Sequence, residues 1–117
     1  MLLSIITATY NSAATIRQTL ASVQMQTYAP IEHWVMDGGS TDGTLEIIRA
    51  EFPEVNIVQE KDEGFYDAIN RGISRAKGDI ICILNSDDFY PHATVLENVV
   101  HCFQSAQVDA VYGDLLY

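Results

Sequence analysis

A chain of 117 residues, 48% of them hydrophobic and 19% charged, is of the size and composition of one soluble domain with its own core. Its 16 acids against 6 bases, a formal net charge of -10, argue against a nucleic-acid binder, which needs a basic face for the phosphates. An anionic ligand would need help against that charge, from a bound cation or from helix N-termini.

The apolar opening "LLSIITA" (2–8) is short and has no basic residues before it, so it reads as a strand rather than a signal peptide. From Ser12 the period changes, and Ile16, Leu20 and Val23 fall on one face of a helix capped by Asn11 or Ser12. "IEHWVMD" (31–37) is the second strand, and "GGST" leads into a helix from about Thr41 or Asp42 with Leu45, Ile48 and Phe52 inward, ended by Pro53. "VNIVQE" (55–60) is a third strand. A helix with Phe65, Ile69, Gly72 and Ile73 on one face then runs to Lys77, with Gly78 as its terminating glycine. "DIICIL" (79–84), the most hydrophobic strand, is expected at the centre of the sheet. A helix over 92–106 directs Val95, Val99 and Phe103 inward, and "DAVYGD" (109–114) opens a fifth strand. Strand and helix alternate throughout, which predicts an α/β domain over residues 1–117, three α/β/α layers around a mostly parallel sheet. The last strand lies so near Tyr117 that the chain reads as the first part of something longer. Its open sheet edge invites a homodimer.

Ligands of open parallel sheets bind beyond the carboxyl ends of the strands. Those ends here are Thr9-Tyr10-Asn11, Asp37-Gly38-Gly39-Ser40, "EKDE" (60–63), Asn85-Ser86-Asp87-Asp88 and Gly113-Asp114. Acids gather on that edge, and the simplest occupant of such a cleft is a hard divalent cation, Mn2+ or Mg2+. Asp87 and Asp88 have a bland reading as a helix cap or Asx-turn. Adjacent carboxylates at a strand exit repel, however, unless a cation lies between them, which favours a metal site. Asp37 is either a turn acid before two glycines or an acceptor for a donor N–H such as the imide of uracil. Tyr10 is either rim packing or an aromatic platform for a base. "DGGSTDGTLEII" lacks the glycine and the final glutamate of a calcium loop, and "GGSTDG" lacks the dinucleotide and P-loop fingerprints. His33, His92 and His101 read as packing residues. Cys82 and Cys102 have no metal-type spacing, which favours a reduced, cytoplasmic compartment.

"SIITATYN", "WVMDGGSTDGT", "EKDEGFYDAINRGISRAKGD" and "ICILNSDD", in that order, resemble the nucleotide-sugar-binding half of an inverting family 2 glycosyltransferase of the GT-A type, with its Rossmann-like sheet. The resemblance spans Leu2 to about Tyr117. It implies that Ala8 and Tyr10 line the base, that Asp37 binds the uracil imide, and that Asp67 and Arg71 pass near the diphosphate or sugar. It further implies that Asp87 holds ribose or sugar hydroxyls and that Asp88 coordinates Mn2+ or Mg2+. Asn85 stands where an acid is often found in the DXD-type motif. The implied activity is metal-dependent, hexosyltransferase-type transfer from a nucleotide-diphosphate sugar, UDP-linked, to a saccharide or lipid-linked acceptor, in surface polysaccharide biosynthesis. The general base is expected beyond Tyr117. The implied location is the cytoplasm or the inner face of the membrane, with peripheral membrane association among the expected partners.

Two other classes stay open at this stage. One is a non-catalytic nucleotide-binding or self-associating fragment. The other is a phosphotransferase using Asp87 as nucleophile, for which Tyr10 and Asp37 would have no purpose.

Overall fold

The computed structural model describes residues 1–61 and 63–106, with side chains as far as residue 104. The fifth strand expected at 109–114, and Asp114 with it, lie outside the described residues. Four strands, β1 (Leu3–Thr9), β2 (Ile31–Asp37), β3 (Asn56–Gln59) and β4 (Ile80–Ile83), alternate with α1 (Ile16–Gln24), α2 (Thr44–Glu51), α3 (Phe65–Arg75) and α4 (Val95–Ala106). All strand pairs are parallel, in the order β3-β2-β1-β4. The α/β reading of the sequence therefore holds.

Side-chain alternation along β1 divides the core into two layers. Leu3 and Ile5 face α1 and α4, packing with Val23, Ile80, Leu96 and Val99. Beside them Val35 meets Ile16, Leu20, Leu45, Ile48 and Phe52 from α1 and α2. Ile6 and Met36 face the opposite way, onto Ala68 and Ile69 of α3. β1 is thus covered on both faces, and six of its seven residues are buried, including Ser4, Thr7 and Thr9.

Several sequence expectations are corrected. Among the described strands the most hydrophobic run, β4, is at the edge, and β1 and β2 are in the middle. Ile81 and Ile83 are 41% and 45% exposed, so only alternate residues of β4 face the core. α1 starts at Ile16, four residues later than expected, because the Ser12 carbonyl accepts from Thr15 N–H and Ile16 N–H in a separate turn. In α3 the core residues are Ala68, Ile69 and Gly72, whereas Phe65 and Ile73 are exposed. α3 ends at Arg75 with Ala76 extended.

Gly78 is needed for space instead of for a helix terminus. Its N–H donates to Ser4 Oγ at 2.8 Å, and a Cβ there would lie 2.8 Å from Ser4 N and 2.9 Å from the Leu2 carbonyl oxygen.

His33, on β2, is a packing residue as expected. It is 6% exposed and shares a 2.8 Å hydrogen bond with the Thr7 hydroxyl. Burial pushes its imidazole down from the ordinary 6.5 to about 4. Between those values the unfolded chain holds a proton that the folded chain rejects, so stability falls as the pH drops below about 6.5. About 2 kcal/mol should be lost by about pH 5, before most carboxylates titrate. Urea midpoints measured from pH 7 to 5 should show this slope, and His33→Gln should flatten it. An unchanged slope in the variant would assign the pH dependence to another group.

Candidate functional site

The parallel arrangement brings the carboxyl ends of all four strands to one edge, where two clefts open side by side. The first, about 630 Å3, is lined by Ala8, Tyr10, Ser12, Phe65, Ser86 and Asp87 among others. The second, about 480 Å3, is lined by Ala8, Thr9, Tyr10, Gly38, Lys61 and Phe65 among others. Ala8, Tyr10 and Phe65 border both. Tyr10 is 64% exposed, so its ring stands free between them instead of packing on the core. Thr9 is 4% exposed, and its hydroxyl is buried without a partner among the described residues.

The acid pair stands on a tight turn. The Asp88 N–H donates to the Asn85 carbonyl at 3.1 Å, putting Ser86 and Asp87 at the corners. Asp87 is exposed and lines the first cleft. Asp88 Oδ1 accepts from the Phe89 N–H at 2.9 Å, and Oδ2 has no hydrogen bond among the described residues. A helix-capping role does not account for the pair, since α4 begins only at Val95.

Asp37 lies below the cleft and does not line it. It is 1% exposed, and its Oδ2 accepts from the N–H groups of Gly39 and Ser40, both at 2.9 Å, while Oδ1 accepts from Ser40 Oγ at 2.5 Å. Ser40 Oγ in turn accepts from the Asn11 N–H at 2.8 Å, and Asn11 Oδ1 accepts from the Thr41 N–H at 2.8 Å. Asn11 adopts the left-handed conformation, φ 50°, which asparagine tolerates better than most residues. The Asp37 carboxylate is thus the root of a clamp that joins the 38–41 loop to the residue beside Tyr10. In the second cleft the neighbouring surface is supplied by Gly38.

Asp67 and Arg71 are not among the residues lining either cleft. The Glu63 N–H donates to Asp67 Oδ2 at 2.9 Å and, with Arg71 beyond it, holds that carboxyl below its usual range. Arg71 pairs with Glu60 at 2.8 Å and Asp67 at 3.3 Å, and Arg75 reaches Glu60 at 3.2 Å. These partly exposed pairs brace α3 against the end of β3, and each is worth little on its own.

Sequence reading placed Lys61 at the ligand edge within "EKDE" without giving it a role, and took Phe65 as a core residue, not a cleft residue. Lys61 follows β3 at the ligand edge and has no ion pair among the described residues. Phe65 opens α3 directly after Gly64, whose φ of 118° turns the chain into the helix, so its side chain lies at the cleft despite its core-like spacing.

A parallel sheet of this order with an acid-bearing cleft at its carboxyl edge is the GT-A type of glycosyltransferase fold that the sequence resembled. Residues 4–117 match the profile of Glycosyl transferase family 2, and the chain belongs to that family. A PGL/p-HBAD biosynthesis glycosyltransferase of Mycobacterium bovis (strain BCG / Pasteur 1173P2) is 37% identical over 118 residues, covering 97% of this chain and 46% of the relative. This chain therefore spans somewhat under half the length of that relative. Among solved structures, residues 1–349 of S. aureus TarS in complex with UDP-GlcNAc superpose with a TM-score of 0.83 at 26% identity, over 93% of this chain and 33% of that one. The mannosyltransferase PcManGT of Pyrobaculum calidifontis, in complex with GDP-Man and Mn2+, gives 0.82 at 30% identity, over 91% and 33%. Among the described residues, no helix is long and apolar enough to cross a membrane.

Proposed function

We propose that this chain binds the nucleotide-diphosphate sugar donor of a glycosyltransferase, with the base in the second cleft and the diphosphate beside Asp87 and Asp88. The observation that carries this is the pair of adjoining clefts, one ending at Asp87 and the other at Lys61, with Tyr10 and Phe65 between them. An aromatic face offers a flat base its stacking surface. Lys61 supplies positive charge in an otherwise acidic neighbourhood. Asp37 serves the base lobe through the clamp on the 38–41 loop, and Asp67 and Arg71 brace its rim.

Asp87 and Asp88 offer hard oxygen donors. Among the described residues there is no group of three metal-ligating side chains. Such a donor set fits Mn2+ or Mg2+ as an ion shared with phosphate oxygens and water, held by Asp88 through its unbonded oxygen. A cation there would neutralise charge on the departing diphosphate. The activity of the whole protein would be sugar transfer to an acceptor hydroxyl with inversion, in surface polysaccharide synthesis, UDP being the donor nucleotide. No described residue is assigned as the general base, and Asp87 acts as a ligand for hydroxyls. Similarity to enzymes solved with UDP-GlcNAc and with GDP-Man and Mn2+ supports this reading.

The test is calorimetric titration of UDP into the 117-residue chain, with and without Mn2+, beside Asp88→Ala. Mn2+ should tighten binding, and the variant should lose about 30-fold of the metal-dependent affinity, the equivalent of one charge-assisted contact. Equal affinity with and without Mn2+ in both proteins would remove the metal from the site. Failure of UDP to bind under every condition would overturn the donor-site reading of this chain.

A further inference from the structure

The turn that carries Asp87 and Asp88 has no secondary structure of its own, since β4 ends at Ile83 and α4 starts at Val95. It is held from the side by hydroxyls of α1 and the turn before it. Ser12, Thr15, Thr19 and Ser22 recur every three or four residues, so they share one face. Ser12 Oγ lies 2.8 Å from Ser86 Oγ, and Thr15 Oγ1 donates to the Ser86 carbonyl at 2.8 Å. Thr19 Oγ1 lies 2.6 Å from the Asp88 carbonyl oxygen and 3.0 Å from that of Ser86. Ser22 Oγ accepts from the Tyr90 N–H at 3.0 Å.

A hydroxyl has one proton to give. The shortest assignment gives each carbonyl flanking Asp87 its own donor: Thr15 for Ser86 and Thr19 for Asp88. Thr19 is 1% exposed, so water does not replace its bond. Satisfying buried carbonyls explains why some donor is present. It does not explain why the two donors fall on the two residues that bracket the cleft acid. The Ser86 carbonyl belongs to the peptide entering Asp87 and the Asp88 carbonyl to the peptide leaving Asp88. With the Asp88 N–H held by the Asn85 carbonyl between them, all three peptide planes through the acid pair are fixed, and with them the directions in which both carboxylates leave the backbone.

We propose that Thr15 and Thr19 are positioning residues for the diphosphate end of the site, setting the orientation of Asp87 and Asp88 from α1. The proposal rests on the donor-site reading above.

Thr19→Val keeps the shape of the side chain and removes the proton, Thr19→Ser keeps the proton, and Thr15→Val makes the same change at a half-buried site where folding is less at risk. Each 117-residue variant is titrated with UDP and Mn2+, and separately with uridine alone, and its melting temperature is recorded. Uridine reads the base lobe without the diphosphate end. Thr19→Val and Thr15→Val should each weaken Mn2+-dependent UDP binding by about five- to tenfold, a typical net hydrogen bond, with uridine binding unchanged. Thr19→Ser should restore UDP binding to within about twofold of the parent, because its hydroxyl reaches the same carbonyl. The positioning role is overturned if the folded valine variants bind UDP and Mn2+ like the parent. It is equally overturned if UDP and uridine weaken together, or if Thr19→Ser fails to rescue. Thr15 also lines the first cleft, whereas Thr19 lines neither, so if Thr19→Val does not fold at the working temperature, Thr19→Ala measured at a lower one decides by the same criteria. Failure of the parent itself to bind UDP is the separate result that removes the donor-site reading.

Discussion

Asp37→Ala is expected to lower the stability of the fold by about 3 kcal/mol, since several buried donors lose their shared acceptor at once. The Gly39 and Ser40 N–H groups and the Ser40 hydroxyl all converge on that carboxylate, which is 1% exposed. Gly39 lies at the surface, so its N–H recovers a water partner, which holds the figure below a sum of full desolvation costs. The loop that Ser40 joins to Asn11 should loosen with it. Asp37→Asn keeps one oxygen but cannot match the charged acceptor, and should fall between the parent and alanine. Urea unfolding supplies the stability, and uridine titration at a temperature where the variant is folded supplies the binding. A clamp predicts that Ser40→Ala reproduces part of the binding loss. A direct contact between Asp37 and the base predicts instead a large loss of uridine affinity with stability intact, and that outcome would restore the imide-binding role.

Gly78→Ala is the second large effect. An alanine methyl would stand 2.8 Å from Ser4 N and 2.9 Å from the Leu2 carbonyl oxygen, inside contact distance of main-chain atoms that no rotamer change can move. The same segments are joined by hydrogen bonds from Asp79 N–H to the Leu2 carbonyl at 2.7 Å and from Leu2 N–H to Asp79 Oδ2 at 3.0 Å. β1 and the entry to β4 would have to part, so the expected loss is about 3 kcal/mol, at the upper end of overpacking. Alanine at Gly39 makes a useful contrast. A Cβ there meets nothing within 4 Å, but its φ of 110° strains any side chain, so the cost there is conformational alone. Denaturant midpoints of the two variants separate these causes, and a Gly78→Ala midpoint equal to that of the parent would show that β1 has room to move.

Much of the architecture was legible because hydrophobic periodicity reports burial directly. β2 spans the residues 31–37 that its pattern marked, and Leu45, Ile48 and Phe52 are core as spaced. The misreadings share a physical cause: periodicity says that a residue is apolar, not which neighbour it meets. "DIICIL" is the most apolar strand yet lies at the described edge, because strand order depends on crossovers between distant segments. Phe65 has the spacing of a core residue but falls on the first turn of α3, level with the cleft. At α1 the side chains that looked like helix caps are engaged elsewhere, Asn11 Oδ1 accepting from the Thr41 N–H and Ser12 Oγ bonding Ser86 Oγ, so the helix starts later. The direction of the Asp37 carboxylate was not legible from its place after a strand. The clue was Ser40, three residues on, which with the two glycines gives the acid a set of local partners.

The position of β1 in the sheet also constrains the order in which the chain can assemble. Its Leu3 pairs with Ile31 on one side and with Ile80 on the other. Of the described strands β1 leaves a ribosome before the other three, yet its second edge stays bare until β4 has followed. The cluster of Leu3 and Ile5 with α4 must therefore wait for a contact between distant parts of the described chain, whereas the Val35 cluster with α1 and α2 can close without it. Such long-range pairing is the slow part of folding a parallel sheet. Of the described strands, the earliest in the chain is thus among the last to be fully paired.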